Sequence, residues 1–87
     1  MDREALSEAL RELYNDEVGA SLDVLGDDVR LIADLGLDSV DVLSLIMQVE
    51  RHFRIRLTRS EIQSVAAVCD LLDLVAVKLR ESANRAA

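Results

Sequence analysis

The chain has no proline and no tryptophan, and Tyr14 and Phe53 are its only two large aromatic residues. Its apolar fraction of 51% is therefore made mostly of Leu, Val, Ala and Ile, a composition that favours helices around an aliphatic core. A single cysteine, Cys69, excludes an internal disulfide and gives no sign of an oxidising compartment. With no histidine or second cysteine near it, Cys69 suits packing, and no metal site is expected. No apolar run approaches the roughly 20 residues that span a bilayer. Met1-Asp2-Arg3-Glu4 also lacks the basic start and apolar middle of a signal peptide. The expectation is a cytoplasmic protein without membrane insertion.

Basic residues are scarce in one half only. The net charge of −7 opposes binding to nucleic acid and favours partners with basic patches. Residues 1–50 hold 13 acids against 3 bases, whereas residues 51–87 hold 4 acids against 7 bases. A length of 87 residues bounds the chain to one domain with a modest core and little room for a preorganised enzyme cleft. No repeat, low-complexity tract or domain boundary interrupts it. A single domain over residues 1–82 with a frayed tail at 83–87 is expected, as a monomer.

The apolar spacing predicts an all-α fold: a small four-helix bundle of three long helices and a short third one, with a long ordered loop between the first two. Asp2 can cap a first helix reaching about Asp16, with Ala5, Leu6, Ala9, Leu10 and Leu13 on its apolar face. Gly19 ends or redirects it. The following loop, to Leu37, turns at Gly26-Asp27-Asp28, and Leu22, Val24, Leu25, Leu31, Ile32 and Leu35 are expected to pin it across the bundle. Val42, Leu45, Ile46, Val49 and Phe53 recur at helical spacing and define the core face of a second helix. Ile55 and Leu57 tuck a short link inward. Thr58 or Ser60 can start the third helix, whose Ile62 and Val65 face inward, and Val68, Leu71, Leu72, Val75 and Leu79 mark a fourth from about Ala67 to Glu81 or Ser82.

Two features of the second helix exceed what folding requires. Ser39 stands at its start, after Gly36, which permits a tight or left-handed backbone, and either Asp38 or Ser39 can cap the first turn while Asp41 complements its positive end. A plain capped helix accounts for those residues equally well. Val40, Leu43 and Met47, however, form a second apolar stripe nearly opposite the core-facing one, as expected of a docking surface. The marginal third helix and one large aromatic side chain suggest an apolar shelter between helices two, three and four, lined by Val49, Phe53, Ile62, Val65 and Leu71.

The stretch Asp34-Leu35-Gly36-Leu37-Asp38-Ser39-Val40, followed by Leu45-Ile46-Met47, Glu50 and Phe53, resembles the acyl carrier proteins of fatty-acid and polyketide synthesis. Their signature reads Asp-x-Gly-x-Asp-Ser-Leu at the head of the second helix. The resemblance spans nearly the whole chain, with Val40 in place of the usual leucine. It implies that Ser39 carries a 4'-phosphopantetheine arm, donated by coenzyme A and linked through a phosphodiester, with acyl cargo held as a thioester on its terminal thiol. It further implies a phosphopantetheinyl transferase and separate acyl-loading, condensing and modifying enzymes as partners. Asp38, Val40, Asp41, Leu43, Met47 and Glu50 form the surface they would meet, and the shelter would receive the acyl chain.

An esterase-like role for Gly36-Leu37-Asp38-Ser39-Val40 fails on distance, so no catalytic residue is expected. His52, the sole histidine, lies thirteen residues along the same helix, roughly 20 Å from Ser39 and beyond the reach of a general base. An unmodified helical interaction module stays open, as does an aminoacyl or peptidyl carrier, although Leu35-Gly36-Leu37-Asp38-Ser39 looks more like the acyl type than Gly-Gly-His-Ser. The departure from housekeeping fatty-acid carriers is charge. Where those are acid-rich, this chain has Ser44, Gln48, Arg51, His52, Arg54, Arg56 and Arg59. This points to a dedicated carrier of a specialised lipid or polyketide-like pathway, with ordinary fatty-acid synthesis as the alternative.

Overall fold

The computed structural model describes residues 2–86, with side chains through Ser82. Four helices follow in order: α1 Arg3–Val18, α2 Ser39–Phe53, α3 Arg59–Gln63 and α4 Val68–Ala86. Among the described residues the only bridge outside them is an isolated antiparallel pair, Arg30 with Ala67. The all-α bundle with one short helix and a long loop is thus the observed architecture. α4 continues in backbone to Ala86, beyond the expected end at Glu81 or Ser82. The side chains of the tail at 83–87, expected to fray, lie outside the described residues.

Each helix start is written in its cap. Asp2 accepts from the Ala5 N–H at 2.8 Å and begins α1, and Gly19, at φ 70, ends it in the left-handed region. Thr58 and Glu61 form a reciprocal capping box on α3, the Glu61 N–H donating to Thr58 Oγ1 at 3.1 Å and the Thr58 N–H to Glu61 Oε1 at 2.8 Å. Leu6, Leu10 and Tyr14 line the buried face of α1 at successive i+4 steps, an aromatic ring among them, and the helix runs two residues past Asp16. They meet Leu45, Ile46 and Val49 of α2 and Val68, Leu71, Leu72 and Val75 of α4 in one continuous core. Ile55 and Leu57 of the link are buried as well.

The long loop is held at two places. The Asn15 side chain forms a two-way bridge to Leu22, accepting its N–H at 3.1 Å and donating to its carbonyl at 3.0 Å. Arg11 Nη1 donates to the same carbonyl at 3.0 Å. Farther on, the loop caps α4 with backbone: the Val68 N–H donates to the Val29 carbonyl and the Cys69 N–H to the Asp27 carbonyl, both at 2.9 Å. Leu25 and Leu31 are buried and Leu22 and Leu35 half-buried, as expected of pins, but Val24 and Ile32 are 77% and 60% exposed. The cause is local geometry. Residues 31–35 form a helical turn in which the Asp34 N–H donates to the Arg30 carbonyl at 3.0 Å, so seating Leu31 inward swings its neighbour Ile32 outward by about 100°. Val24 precedes buried Leu25 in an irregular stretch, and the two take opposite sides. Leu37, absent from the expected pins, is buried just before α2.

Where α3 meets α4, two carboxylates secure the turn. Asp70 Oδ2 accepts the N–H groups of Ala67 at 2.9 Å and Ala66 at 3.0 Å, which hold its carboxyl below the ordinary range. The Thr58 N–H and then Lys78, whose Nζ lies 3.0 Å from Glu61 Oε2, do the same for Glu61. A carboxylate depressed in the folded state stabilises fully above its unfolded value of about 4, and that stabilisation is lost as pH falls through the folded value. At neutral pH, Asp70→Ala, which removes the acceptor of both N–H groups, should lower stability by about 1 kcal/mol, on the scale of a lost helix cap. In denaturant titrations against pH the wild-type and variant curves should converge on acidification, whereas parallel curves would show that the Asp70 bonds contribute nothing specific.

Candidate functional site

The start of α2 shows a division of labour between two adjacent side chains. Gly36 closes the preceding turn at φ 71, a left-handed value that L side chains adopt only with strain. Buried Leu37 anchors the chain next to it. Asp38 then takes the extended conformation of an N-cap, its Oδ1 accepting the Asp41 N–H at 2.8 Å, and Asp41 Oδ2 faces the Asp38 N–H at 3.5 Å as the weaker return half of the box. Asp38, not Ser39, is the cap. Ser39 becomes the first helical residue, exposed, and no hydrogen bond of its hydroxyl occurs among the described residues. His52 is exposed at the far end of α2, with its ring edge-on to Phe53 at 4.8 Å, so it offers Ser39 no base.

Ser39 opens onto a groove of about 560 Å³ whose walls are Ile32 from the loop, Val42 and Leu43 from α2, and Ile62 and Val65 from the α3 region. Arg59 and Gln63 complete it. A smaller hollow of about 280 Å³ continues past Ile32, Val42 and Val65 to Leu31, Ala33 and Ala66, with Arg30 at its edge. The outward swing of Ile32 thus builds a wall of this groove.

The residues expected to line an apolar shelter divide. Ile62 and Val65 share the groove with Ser39. Val49 and Leu71 are completely buried in the closed core, and half-buried Phe53 packs against that core, outside the groove lining. The open groove therefore runs between α2, the α3 region and the loop, while the space between α2, α3 and α4 is closed in this structure. Of the residues expected to meet partners, Val40, Leu43 and Met47 stand 69%, 48% and 52% exposed along one face. Asp38 is exposed and Asp41 half-buried in the cap. Glu50 differs, because its Oε2 accepts the Leu57 N–H at 2.9 Å and ties the link to α2.

The basic residues, adjacent in sequence, separate in space. Arg51 borders a hollow with Glu17, Ser44, Met47 and Gln48. Arg54 and Arg56 line a pocket of about 230 Å³ with Ile55, Lys78 and Ser82, and Arg59 turns to the Ser39 groove. Arg54 is the one non-glycine residue with positive φ among the described residues, at 57, where it closes α2. Sequence reasoning missed the Asn15 bridge and the Arg59 placement, since both depend on where the loop and α3 fold back; it also left Tyr14 off the core face of α1, although the i+4 step from Leu6 and Leu10 marks it.

A small helical bundle presenting a free serine hydroxyl beside an apolar groove has the form of a carrier domain. Residues 8–80 match the family described as "Phosphopantetheine attachment site". Among known proteins, the acyl carrier protein of Akkermansia muciniphila is 31% identical over 72 residues, 83% of this chain and 90% of that one. The crystal structure of an acyl carrier protein from Thermotoga maritima superposes with a TM-score of 0.84 at 33% identity, covering 93% of this chain and 94% of that one. A solution structure of holo acyl carrier protein from Geobacter metallireducens gives 0.74 at 27% identity, over 94% and 90%. The chain belongs to the phosphopantetheine-binding acyl carrier protein family. It is a carrier and not a catalyst, and the family's prosthetic group is covalently attached 4'-phosphopantetheine.

The two faces of α2 give opposite expectations for one substitution. Met47→Asp, on the open face, should change stability by no more than about 0.5 kcal/mol. Val49→Asp, which buries an unpaired charge in the core, should cost more than about 3 kcal/mol and unfold much of the population. Thermal melts of both variants check this, and a large loss in Met47→Asp would mean that the exposed stripe is covered.

Proposed function

We propose that Ser39 is the sole attachment point of the 4'-phosphopantetheine arm and that the chain is a cytoplasmic, monomeric carrier dedicated to a specialised lipid or polyketide-like pathway. The observation that carries the first part is the cap: Asp38 satisfies the first turn of α2, leaving the Ser39 hydroxyl exposed and uncommitted. A carrier needs an accessible, mobile point of attachment and no activating base, and Ser39 has that character. The first-turn N–H groups of α2 and its positive end favour an anion linked there. When present, the arm supplies a terminal thiol on which acyl groups are held as thioesters. Around it, Ile32, Val42, Ile62 and Val65 offer an apolar surface for the arm and cargo to lie against, and the Val40, Leu43 and Met47 face is available to the enzymes that visit. Ser44 and Ser60 lack the preceding Gly-x-Asp.

Incubation with coenzyme A and a phosphopantetheinyl transferase should add the arm's mass to the wild type and leave Ser39→Ala unchanged. A Ser39→Ala protein that still gained the arm, or a wild type that never did, would contradict the assignment.

The dedicated pathway is supported by polarity along α2. Asp38 and Asp41 sit at its Ser39 end, while Arg54 and Arg56, with Lys78, surround a basic pocket at the other, about 22 Å away. No salt bridge of Arg54 or Arg56 occurs among the described residues, so their charge is available to an acidic partner surface. Joint reversal, Arg54→Glu with Arg56→Glu, should slow transfer by the pathway's own enzymes most strongly at low salt, leaving loading at Ser39 nearly untouched. Unchanged turnover with those enzymes, alongside normal loading, would reduce the basic pocket to a solvated surface.

A further inference from the structure

The groove beside Ser39 is apolar except for the serine itself, Gln63 and Arg59, and no acid lines it or its continuation toward Arg30. Arg59 is exposed and forms no ion pair among the described residues. Its nearest acid in α3 is committed elsewhere: one Glu61 oxygen accepts the Thr58 N–H and the other pairs with Lys78. An uncompensated guanidinium therefore borders the same groove as an uncommitted serine hydroxyl, with Ile32, Val42, Ile62 and Val65 among its apolar lining.

Resting on the assignment of Ser39 as the attachment point, we infer that Arg59 is a positioning residue that pairs with the phosphodiester of the arm across the groove and lays the idle arm along its apolar walls. The electrostatics call for such a cation. A phosphodiester on Ser39 Oγ is a permanent anion placed within one helical turn of two acids, Asp38 and Asp41, which oppose the favourable field of the α2 N-terminus. Arg59 is the cation that the groove itself supplies, and the guanidinium fork suits phosphate oxygens. Because the pair would be solvent-exposed, it holds the arm weakly. It shifts a population without locking it, and a visiting enzyme that brings its own basic groups to the phosphate can release the arm.

The test uses the full chain loaded with the arm but no cargo, as wild type, Arg59→Gln and Arg59→Lys, with intact mass confirming one arm on each. A wild type that failed to load would strike at the Ser39 assignment; normal loading of all three leaves the role of Arg59 to be decided separately. At low salt the arm's thiol should react with a thiol reagent about 1.4- to 5-fold faster in Arg59→Gln than in wild type, the fold-change of an exposed ion pair. Arg59→Lys should fall between them, and the difference should vanish at high salt. In the wild type, loading should also shift the Arg59 Nε–H resonance, and the phosphorus resonance of the arm should differ between wild type and Arg59→Gln. Equal thiol reactivity in the three proteins at low salt, with an Arg59 resonance unmoved by loading, would overturn the inference.

Discussion

The placement of a single hydrogen-bonding group governs the business end of this molecule. The first turn of any helix has N–H groups without partners, and here Asp38 supplies the oxygen for the one at Asp41. Had the adjacent serine taken that role, its hydroxyl would be turned back onto the helix. With the cap one residue earlier, Ser39 occupies the first helical position with its oxygen outward. The preceding chain is arranged to deliver Asp38 there: Gly36 takes the left-handed turn, buried Leu37 fixes the height of the chain on the core, and the helical turn at 31–35 leads into both.

Burial of α2 on one face only leaves its opposite face open. Leu45, Ile46 and Val49 close the core with α1 and α4, and the same helical repeat leaves Val40, Leu43 and Met47 facing outward. The loop does not cover that stripe, because it is tied to α1 through Asn15 and to the start of α4 through Val29 and Asp27. It passes on the other side of Ser39, where Ile32 becomes a groove wall. Packing against α1 and α4 thus makes one closed face, and loop and α3 make a less filled one beside the proposed attachment point.

Much of this was legible in the residues. The core positions of α2 and α4 follow from helical spacing, the caps at Asp2 and Thr58 from their side chains, and the family from Gly36-Leu37-Asp38-Ser39. Local pattern carried less far where two segments distant in sequence determine a side chain's surroundings. Val24 and Ile32 are as apolar as Leu25 and Leu31, but a backbone turn can seat only one of each adjacent pair. Val49 and Leu71 lie on apolar faces without showing whether those faces close on each other, and they do. Glu50 reads as a surface acid until the link folds back and presents the Leu57 N–H to it. Arg51, Arg54, Arg56 and Arg59 look like one cluster on paper, yet the fold sends Arg59 to the Ser39 groove and Arg54 and Arg56 to the opposite end of α2.

The central claim is that this bundle holds acyl groups through an arm on Ser39, and the most direct measurement is on protein purified from the cells that make it. After proteolysis, mass analysis should find the peptide containing Ser39 bearing the phosphopantetheine arm, part of it carrying an acyl mass that hydroxylamine removes. A Ser39 peptide found bare in every preparation, or an arm located on another side chain, would contradict the account.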